Sequence, residues 1–312
     1  MRKYDEIYIE RQCFIHIDTS GVYRNDFGNT RAAPQFGGEY MAAIEKKYQW
    51  LHSIEEPKII LVGGSNLAFG IDSKELENIL EMPVVNLGLH AGLKQHYMLE
   101  MAKAGVKADD IVIVGFEYET FYDKKSNALC VLETLEYGKQ YYAYVEKANW
   151  FELVFTYFPT LGLEKLRRYA GDQEIQYYSV YAESSFNQLG DISYLREKNV
   201  QGETLPDVAI NSTLVDESII NNLNEFISYV KEQGAQIYFT WPSCDEKIIV
   251  SSQNEIDSFA VFLEEQVNAT FISDINEYIL SNELFFDTAY HLNDKGVDIR
   301  TEKLAADIER TR

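Results

Sequence analysis

The segment Lys58-Ile-Ile-Leu-Val-Gly-Gly-Ser-Asn66 decides the fold, because it joins a buried strand directly to a tight turn and to the start of a helix. Its run of aliphatic residues ends in two glycines. A polar and apolar pattern with helical spacing then extends from Ser73 to Leu80. A short apolar run closed by glycine and followed by helical periodicity predicts a strand, a turn and a helix in that order.

The same alternation recurs along most of the chain. Further short apolar runs predict strands at 82–88, 110–115, 235–241 and 270–273. Helical spacing of apolar residues predicts helices at 40–51, 93–104, 215–233, 254–267 and 294–309. Strands that are apolar throughout and alternate with helices are typical of a parallel sheet covered on both faces. The sequence therefore predicts an α/β fold, a three-layer α/β/α sandwich around a parallel five-stranded sheet.

Two stretches interrupt this rhythm within what we predict to be one domain over 1–312. Residues 1–55 form an N-terminal extension. Residues 120–212 contain eleven of the 22 tyrosines and are helical at 139–169, so we interpret them as a helical insertion. Two roles are open for the insertion: a lid or wall over the site, or a subdomain that contributes only packing.

The charge of the chain excludes several classes of partner. Its 312 residues include 28 Lys and Arg against 50 Asp and Glu, which gives a net charge of −22 at pH 7. This charge repels phosphate backbones and anionic lipid surfaces. The densest basic stretch is only Lys165, Arg167 and Arg168. We therefore expect neither a nucleic acid nor a membrane surface as partner.

The cysteines bear on metal binding, and the length of the apolar stretches bears on the cellular location of the chain. Cys13, Cys130 and Cys244 are widely spaced, without the pairing typical of zinc sites, so we expect unpaired thiols. The N-terminus lacks the apolar core of a signal peptide, and no window of about 18 apolar residues predicts a membrane span. These features predict a cytoplasmic chain. A signal or anchor missing from the sequence would instead place the protein at the cell surface.

Ligand sites of parallel α/β sheets lie beyond the C-terminal ends of the strands. Ser65 follows the first predicted strand, and His291 precedes the last helix with Asp287 four residues upstream. Serine, histidine and an acid are the components of a nucleophilic acyl-transfer site. The alternative for Ser65 is a simple helix cap. The alternative for Asp287 and His291 is a hydrogen bond at a helix entry.

This combination resembles the SGNH/GDSL hydrolase superfamily. The similarity is greater to its branch in bacterial polysaccharide O-acylation, related to DltD-like and alginate-acetylation proteins. Gly63-Gly-Ser-Asn66 stands where the family has its Gly-Asp-Ser block, and residues 84–92 stand where it has its second block. The resemblance covers residues 58–122 and 235–308 and leaves the extension and the insertion outside it.

The resemblance implies a flavodoxin-like sandwich with no cofactor and no metal. It also implies that Ser65 is the nucleophile, His291 the base and Asp287 the acid that orients the base. The backbone N–H of Ser65 and that of either Ala91 or Gly92 would bind the oxyanion. The residues expected around the oxyanion and the substrate are Gly64, Asn66, Asn86, Gly88, Ala91, Gly92 and Glu117.

The sequence departs from the family pattern at four points. Gly64 replaces the usual Asp, and the glycine of the second block is displaced. Three residues separate Asp287 from His291, where the family has two. Glu117 stands in Gly115-Phe-Glu117, where the third block presents an Asn whose amide donates to the oxyanion.

An ionised Glu117 aimed at a developing oxyanion would be repulsive, and loss of one oxyanion donor costs about 10² to 10³ in rate. Three arrangements avoid the repulsion. Glu117 is protonated by burial, it turns away, or Asn66 or Tyr118 donates instead. We expect Glu117 to line the pocket and to tune acceptor or acyl recognition. The alternative is a structural acid paired with a basic neighbour.

Other motifs offer no competing chemistry, since residues 63–70 match neither a dinucleotide-binding nor a P-loop pattern. We expect serine-dependent acyl transfer on an O-acylated carbohydrate, by an esterase or O-acetyltransferase of cell-surface polysaccharide. One alternative is a catalytically weak or inactive module that binds a saccharide or a partner in polysaccharide assembly. Another is a hydrolase of small esters without a carbohydrate role.

Overall fold

The computed structural model describes residues 23–24, 30–31, 38–159, 161–163, 179–201 and 205–311. Its contacts divide the chain into two compact units, 1–45 with 125–185 and 46–124 with 186–312. The single domain over 1–312 stays a prediction, and the two units lie within this range. The boundaries also differ from the predicted 1–55 and 120–212, because both ends of the predicted insertion belong to the second unit.

The second unit is built on a five-stranded sheet whose strands all run parallel. In spatial order the strands are β2-β1-β3-β4-β5. Their bounds are β1 Ile59–Gly63, β2 Val84–Asn86, β3 Ile111–Gly115, β4 Gln236–Phe239 and β5 Thr270–Phe271. Every residue of β1, β2 and β3 is buried, which explains their continuous apolar character.

Helices cover both faces of this sheet. Their bounds are α1 Ala43–Ser53, α2 Ser65–Ala68, α3 Ser73–Leu80, α4 Lys94–Lys103, α7 Glu217–Glu232, α8 Gln253–Gln266 and α9 Asp294–Glu309. On one face, Leu76 of α3 and Leu304 of α9 join Ile59 and Ile113 of the sheet in one apolar core. Helices α4 and α7 pack together and against β1 and β4 respectively. The predicted three-layer α/β sandwich with a parallel five-stranded sheet is confirmed.

Helix ends follow local chemistry. Helix α3 begins where the Asp72 side chain accepts the N–H groups of Lys74 and Glu75, and it ends at Glu81 in the left-handed region with φ 53°. Helix α9 begins where Asn293 accepts the N–H of Gly296. Because α9 starts directly after His291-Leu292-Asn293, this cap also fixes the end of the loop that carries His291.

The first unit is largely helical where it is described. It contains α5 Ala128–Leu135, α6 Lys147–Glu152, a π-helical segment Leu153–Tyr157 and a 3-10 segment Lys139–Tyr144. A short antiparallel pair joins Tyr23–Arg24 to Thr30–Arg31. The described part of the predicted helical stretch 139–169 is thus a mixture of three helix types. Residues 160 and 164–178 lie outside the described residues.

The remaining short elements include a parallel pair, Cys244–Asp245 with Ile279–Leu280. The other 3-10 segments are Tyr40–Ala42, Ala91–Leu93, Tyr118–Phe121, Glu183–Ser185, Ser212–Leu214, Ile275–Tyr278 and Asn282–Leu284. Cys130 and Cys244 are buried, and Cys13 lies outside the described residues. No helix in the described ranges combines the length and the apolar composition needed to cross a bilayer.

A buried ion pair ties the start of β1 to the start of β3. Lys58 Nζ lies 2.9 Å from Asp110 Oδ2, and both side chains are fully buried. The backbone N–H groups of Lys58 and Lys107 also donate to this carboxylate. We expect Lys58→Met to lower the free energy of unfolding by about 3–5 kcal/mol, because it leaves an uncompensated buried charge.

Urea unfolding of the purified chain measures this effect. The control is Lys74→Met, since Lys74 pairs with Glu77 on the surface of α3 and is 69% exposed. A surface pair of this kind contributes about 0–1 kcal/mol. Equal losses in the two variants would show that the Lys58 pair does not stabilise the sheet.

Candidate active site

Ser65 lies at the point of the sheet where a crevice is expected. In the strand order 2-1-3-4-5, successive connections leave β1 in opposite directions, and the crevice opens at the C-terminal ends of β1 and β3. Gly63 and Gly115, the last residues of these two strands, are paired in register. Ser65 is the first residue of α2, separated from β1 by Gly64, and it is half-buried. Its hydroxyl therefore lies at the edge of the sheet where a ligand is expected.

A short closed loop brings Asp287 and His291 together. The N–H of Phe286 donates to the carbonyl of His291 at 2.8 Å, which closes the loop on itself. Inside it, Thr288 Oγ1 accepts the N–H of His291 at 3.0 Å. The closure explains how an acid and a base separated by three residues still reach each other.

Three side chains form a continuous hydrogen-bonded chain. His291 Nε2 lies 2.9 Å from Ser65 Oγ, and His291 Nδ1 lies 2.9 Å from Asp287 Oδ1. His291 is 6% exposed. We assign the ring proton to Nδ1, because the carboxylate can only accept there, and this leaves Nε2 to accept the serine proton. The structure thus brings together the three residues that the sequence proposed as nucleophile, base and acid.

One side chain and one backbone group outside the loop hold it in place. Gln201 Nε2 donates to the carbonyl of Thr288 at 2.9 Å. The N–H of Asp245 donates to the carbonyl of Ala289 at 3.0 Å. Gln201 comes from a stretch assigned to the insertion by sequence, so its contact with this loop had no sequence signal.

The imidazole of His291 is also held by stacking. The Phe69 ring lies parallel to it, with centroids 3.8 Å apart and planes 5° apart. The guanidinium of Arg196 lies over Phe69 at 5.2 Å from its centroid. Phe69 was not among the residues that the sequence predicted for the site. Its signal was the spacing of four residues from Ser65, which places both on one side of a single helical turn.

The predicted second block has a structural role at two of its positions. The Asn86 side chain accepts the N–H of Gly88 and donates to the carbonyl of Leu67 and to Asp191. A Cβ at Gly88 would lie 2.5 Å from the backbone nitrogen of Ala68. These contacts hold α2 against the loop after β2. Asn86 and Gly88 therefore support the site from within the fold, and the side chain of Asn86 is fully buried.

The geometry distinguishes the two alternatives for the second oxyanion donor. The N–H of Gly92 donates to His90 Nδ1 at 3.0 Å. No hydrogen bond among the described residues uses the N–H of Ser65 or that of Ala91, since each begins a short helical segment. Of the two, the N–H of Ala91 is the one without an acceptor among the described residues.

His90 is an uncharged group near the base. Because its Nδ1 accepts the N–H of Gly92, the neutral ring carries its proton on Nε2. Burial, and then the charge of His291, lower the pKa of His90 to about 4. No role was predicted for His90 from the sequence. The hydrogen bond that fixes its tautomer depends on the turn at 90–92 and is not visible in the sequence.

Glu117 and Asn66 face the interior of the fold. Glu117 is 3% exposed, and its Oε1 accepts the N–H of Asn66 at 2.9 Å. Asn66 is fully buried, and its amide donates to the carbonyl of Gly115 at 3.1 Å. The expectation that Glu117 lines the pocket is replaced by a contact with the turn at 64–66. Asn66, proposed as a substitute oxyanion donor, holds the end of β3 instead.

Tyr118, the other proposed substitute donor, is also inside the fold. Its side chain is fully buried, and its ring lies 5.7 Å from Phe259 and 6.2 Å from Tyr290, centroid to centroid. Burial raises the pKa of its hydroxyl well above the ordinary value. The aromatic packing fixes Tyr118 away from solvent, so it offers no exposed donor.

Comparison with known proteins adds little to this geometry. No protein-family model and no curated protein matches the chain. Among solved structures, the chain is similar to the protein YxiM of Bacillus subtilis, with 12% sequence identity and a TM-score of 0.42. The match covers 83% of this chain and 57% of YxiM.

Proposed function

We propose that this chain is a serine-dependent acyl-transfer enzyme with Ser65 as its nucleophile. The observation that carries the proposal is the hydrogen-bonded chain from Ser65 Oγ through His291 to Asp287. A serine hydroxyl is a weak nucleophile unless a base lies within hydrogen-bond reach and a third group orients that base. Both conditions are met by described side chains.

In the proposed first step, Ser65 Oγ attacks the carbonyl carbon of an ester while His291 Nε2 takes the hydroxyl proton. Asp287 stabilises the imidazolium that forms. The tetrahedral intermediate collapses when His291 returns the proton to the leaving alcohol, which leaves an acyl ester on Ser65. Water or a sugar hydroxyl then attacks this ester, with His291 again taking and returning a proton, and Ser65 is restored.

The oxyanion requires donors aimed at the place where negative charge develops. We propose the N–H groups of Ser65 and Ala91, which have no acceptor among the described residues. With only two such donors in place of three, we expect turnover to be slower by about 10² to 10³ than in a site with a third donor.

The substrate class comes from the resemblance of the sequence motifs. We propose an O-acylated carbohydrate, with either water or a sugar hydroxyl as the final acceptor. The first case is an esterase and the second an O-acyltransferase of bacterial polysaccharide. A hydrolase of small esters would use the same groups and would differ only in its preference among substrates.

Intact-mass spectrometry after brief exposure to p-nitrophenyl acetate tests the proposal. We expect a transient adduct of one acetyl group that peptide mapping places on Ser65, and no adduct on the Ser65→Ala variant. Partition of the acetyl group between water and added sugar alcohols then separates hydrolysis from transfer. Ser53→Ala is the matched control, since Ser53 is an exposed serine at the end of α1.

A folded protein that forms no adduct and releases no p-nitrophenol above background would contradict acyl transfer on this ester. O-acetylated sugars are then tested in the same assay with release of acetate as the readout. No release there would favour a binding module without catalysis, which equilibrium binding of the same sugars would measure.

A further inference from the structure

The glycine at position 64 is required by space and not by backbone conformation. Gly64 has φ −82° and ψ −165°, an extended conformation that any residue adopts. A Cβ at this position would lie 1.9 Å from Glu117 Oε2 and 2.3 Å from Glu117 Oε1. The carboxylate of Glu117 therefore fills the volume that a side chain at position 64 would occupy.

From this position Glu117 holds the residue after the nucleophile. Its Oε1 accepts the N–H of Asn66 at 2.9 Å, while Arg300 Nη1 and Nη2 donate to the carbonyl and to Oδ1 of Asn66 at 2.6 and 2.8 Å. The amide of Asn66 donates to Gly115. Every polar group of Asn66 is thus held, and its position also fixes the backbone of Ser65.

The two charged groups of this arrangement are both buried. Glu117 is 3% exposed and Arg300 is 1% exposed. Opposite charges on the two sides of one peptide unit offset each other. Glu117 Oε2 and Arg300 Nε have no hydrogen-bond partner among the described residues, so the contacts with Asn66 are what hold the two groups. Removal of either Glu117 or Arg300 is therefore expected to destabilise the turn at 64–66. Both groups contact Asn66, the residue after the nucleophile.

We propose that Glu117 is a positioning residue for Ser65. We also propose that positions 64 and 117 are coupled, because the carboxylate of Glu117 fills the volume that a side chain at position 64 would occupy. Gly64 and Glu117 then form one coupled pair and not two independent positions. The inference rests on the proposed function, since it is acyl transfer that depends on the position of Ser65.

A double-mutant cycle tests the coupling. We expect Gly64→Ala and Glu117→Ala each to lower the rate constant for acylation by p-nitrophenyl acetate about 10- to 100-fold, because a misplacement of about 1 Å costs about 10²-fold. KM changes by less than about twofold, since substrate contacts stay the same. The double variant is no slower than Glu117→Ala alone. Gly162→Ala is the control, because a Cβ there meets nothing within 4 Å.

One conservative variant and one rescue variant separate positioning of Ser65 from a general loss of stability. Glu117→Gln keeps an oxygen acceptor of the same reach, so we expect it to retain most of the acylation rate. Gly64→Asp combined with Glu117→Ala returns a carboxylate to the vacated space from the other side. We expect its rate constant for acylation to be about tenfold higher than that of Glu117→Ala.

Losses that add in the double variant, or singles that acylate at the wild-type rate, would overturn the inference. If Gly64→Ala does not fold, the cycle is followed by near-ultraviolet circular dichroism. Recovery of the folded signal on adding Glu117→Ala supports the coupling, and no recovery overturns it. If wild-type protein forms no acyl-Ser65, the proposed function fails. The urea concentrations at the unfolding midpoints of wild type, Gly64→Ala, Glu117→Ala and the double variant then measure the coupling without an acylation assay.

Discussion

Removal of Ser65, of His291 or of both is expected to reduce acyl transfer by about the same factor, on the order of 10⁶ in kcat. The reason is that the two side chains act as one unit across the 2.9 Å contact between Oγ and Nε2. Without the base the hydroxyl is not activated, and without the hydroxyl the base has nothing to deprotonate. The measurement is steady-state and pre-steady-state turnover of Ser65→Ala, His291→Ala and the double variant.

Controls of the same residue types are available on α1. Ser53 and His52 are both exposed at the end of this helix. We expect Ser53→Ala and His52→Ala to turn over at the wild-type rate. Losses that multiply in the double variant would show that Ser65 and His291 act independently, which would contradict the proposed mechanism.

Asp287→Asn is expected to lower kcat by about 10⁴ while the fold is retained. The carboxylate accepts the proton on His291 Nδ1 at 2.9 Å. An amide at this place presents an N–H to Nδ1, so the ring proton moves to Nε2. A protonated Nε2 in the neutral ring cannot accept the proton of Ser65, and the nucleophile loses its base.

The matched control is Asp298→Asn on the exposed side of α9. We expect no change in its kcat. Urea unfolding of both variants checks that the loop at 286–291 is intact, since its closure uses backbone groups and Thr288. An Asp287→Asn enzyme within tenfold of wild type would show that this acid does not set the tautomer of His291.

The agreement between sequence and structure is greatest where local chemistry and the fold act together. The last helix was predicted at 294–309 and α9 spans Asp294–Glu309, because Asn293 caps its start and apolar residues set its inner face. Predicted strands were longer than observed ones, as at 235–241 against Gln236–Phe239. Apolar residues continue past the last backbone hydrogen bond of the strand into the following loop, where Trp241 is fully buried.

Glu117, Asn66 and Tyr118 lie inside the fold for a common reason. Each stands at a strand end or beside the nucleophile, and position along the chain suggested exposure to substrate. In the structure all three are at most 3% exposed. Contacts across large sequence separations decide this, such as that of Arg300 with Asn66 and that of Glu117 with the space at Gly64.

The sequence by itself determined the order of strands and helices, the parallel sheet and the identity of Ser65, Asp287 and His291 as candidate groups. It could do so because periodicity, glycine turns and helix caps act over a few neighbouring residues. Only the tertiary structure decided which of these groups meet, which N–H groups are left without an acceptor, and which polar residues are inside. These outcomes depend on contacts between segments far apart in the chain, 226 residues for His291 and Ser65 and 234 for Arg300 and Asn66, and no local pattern encodes them.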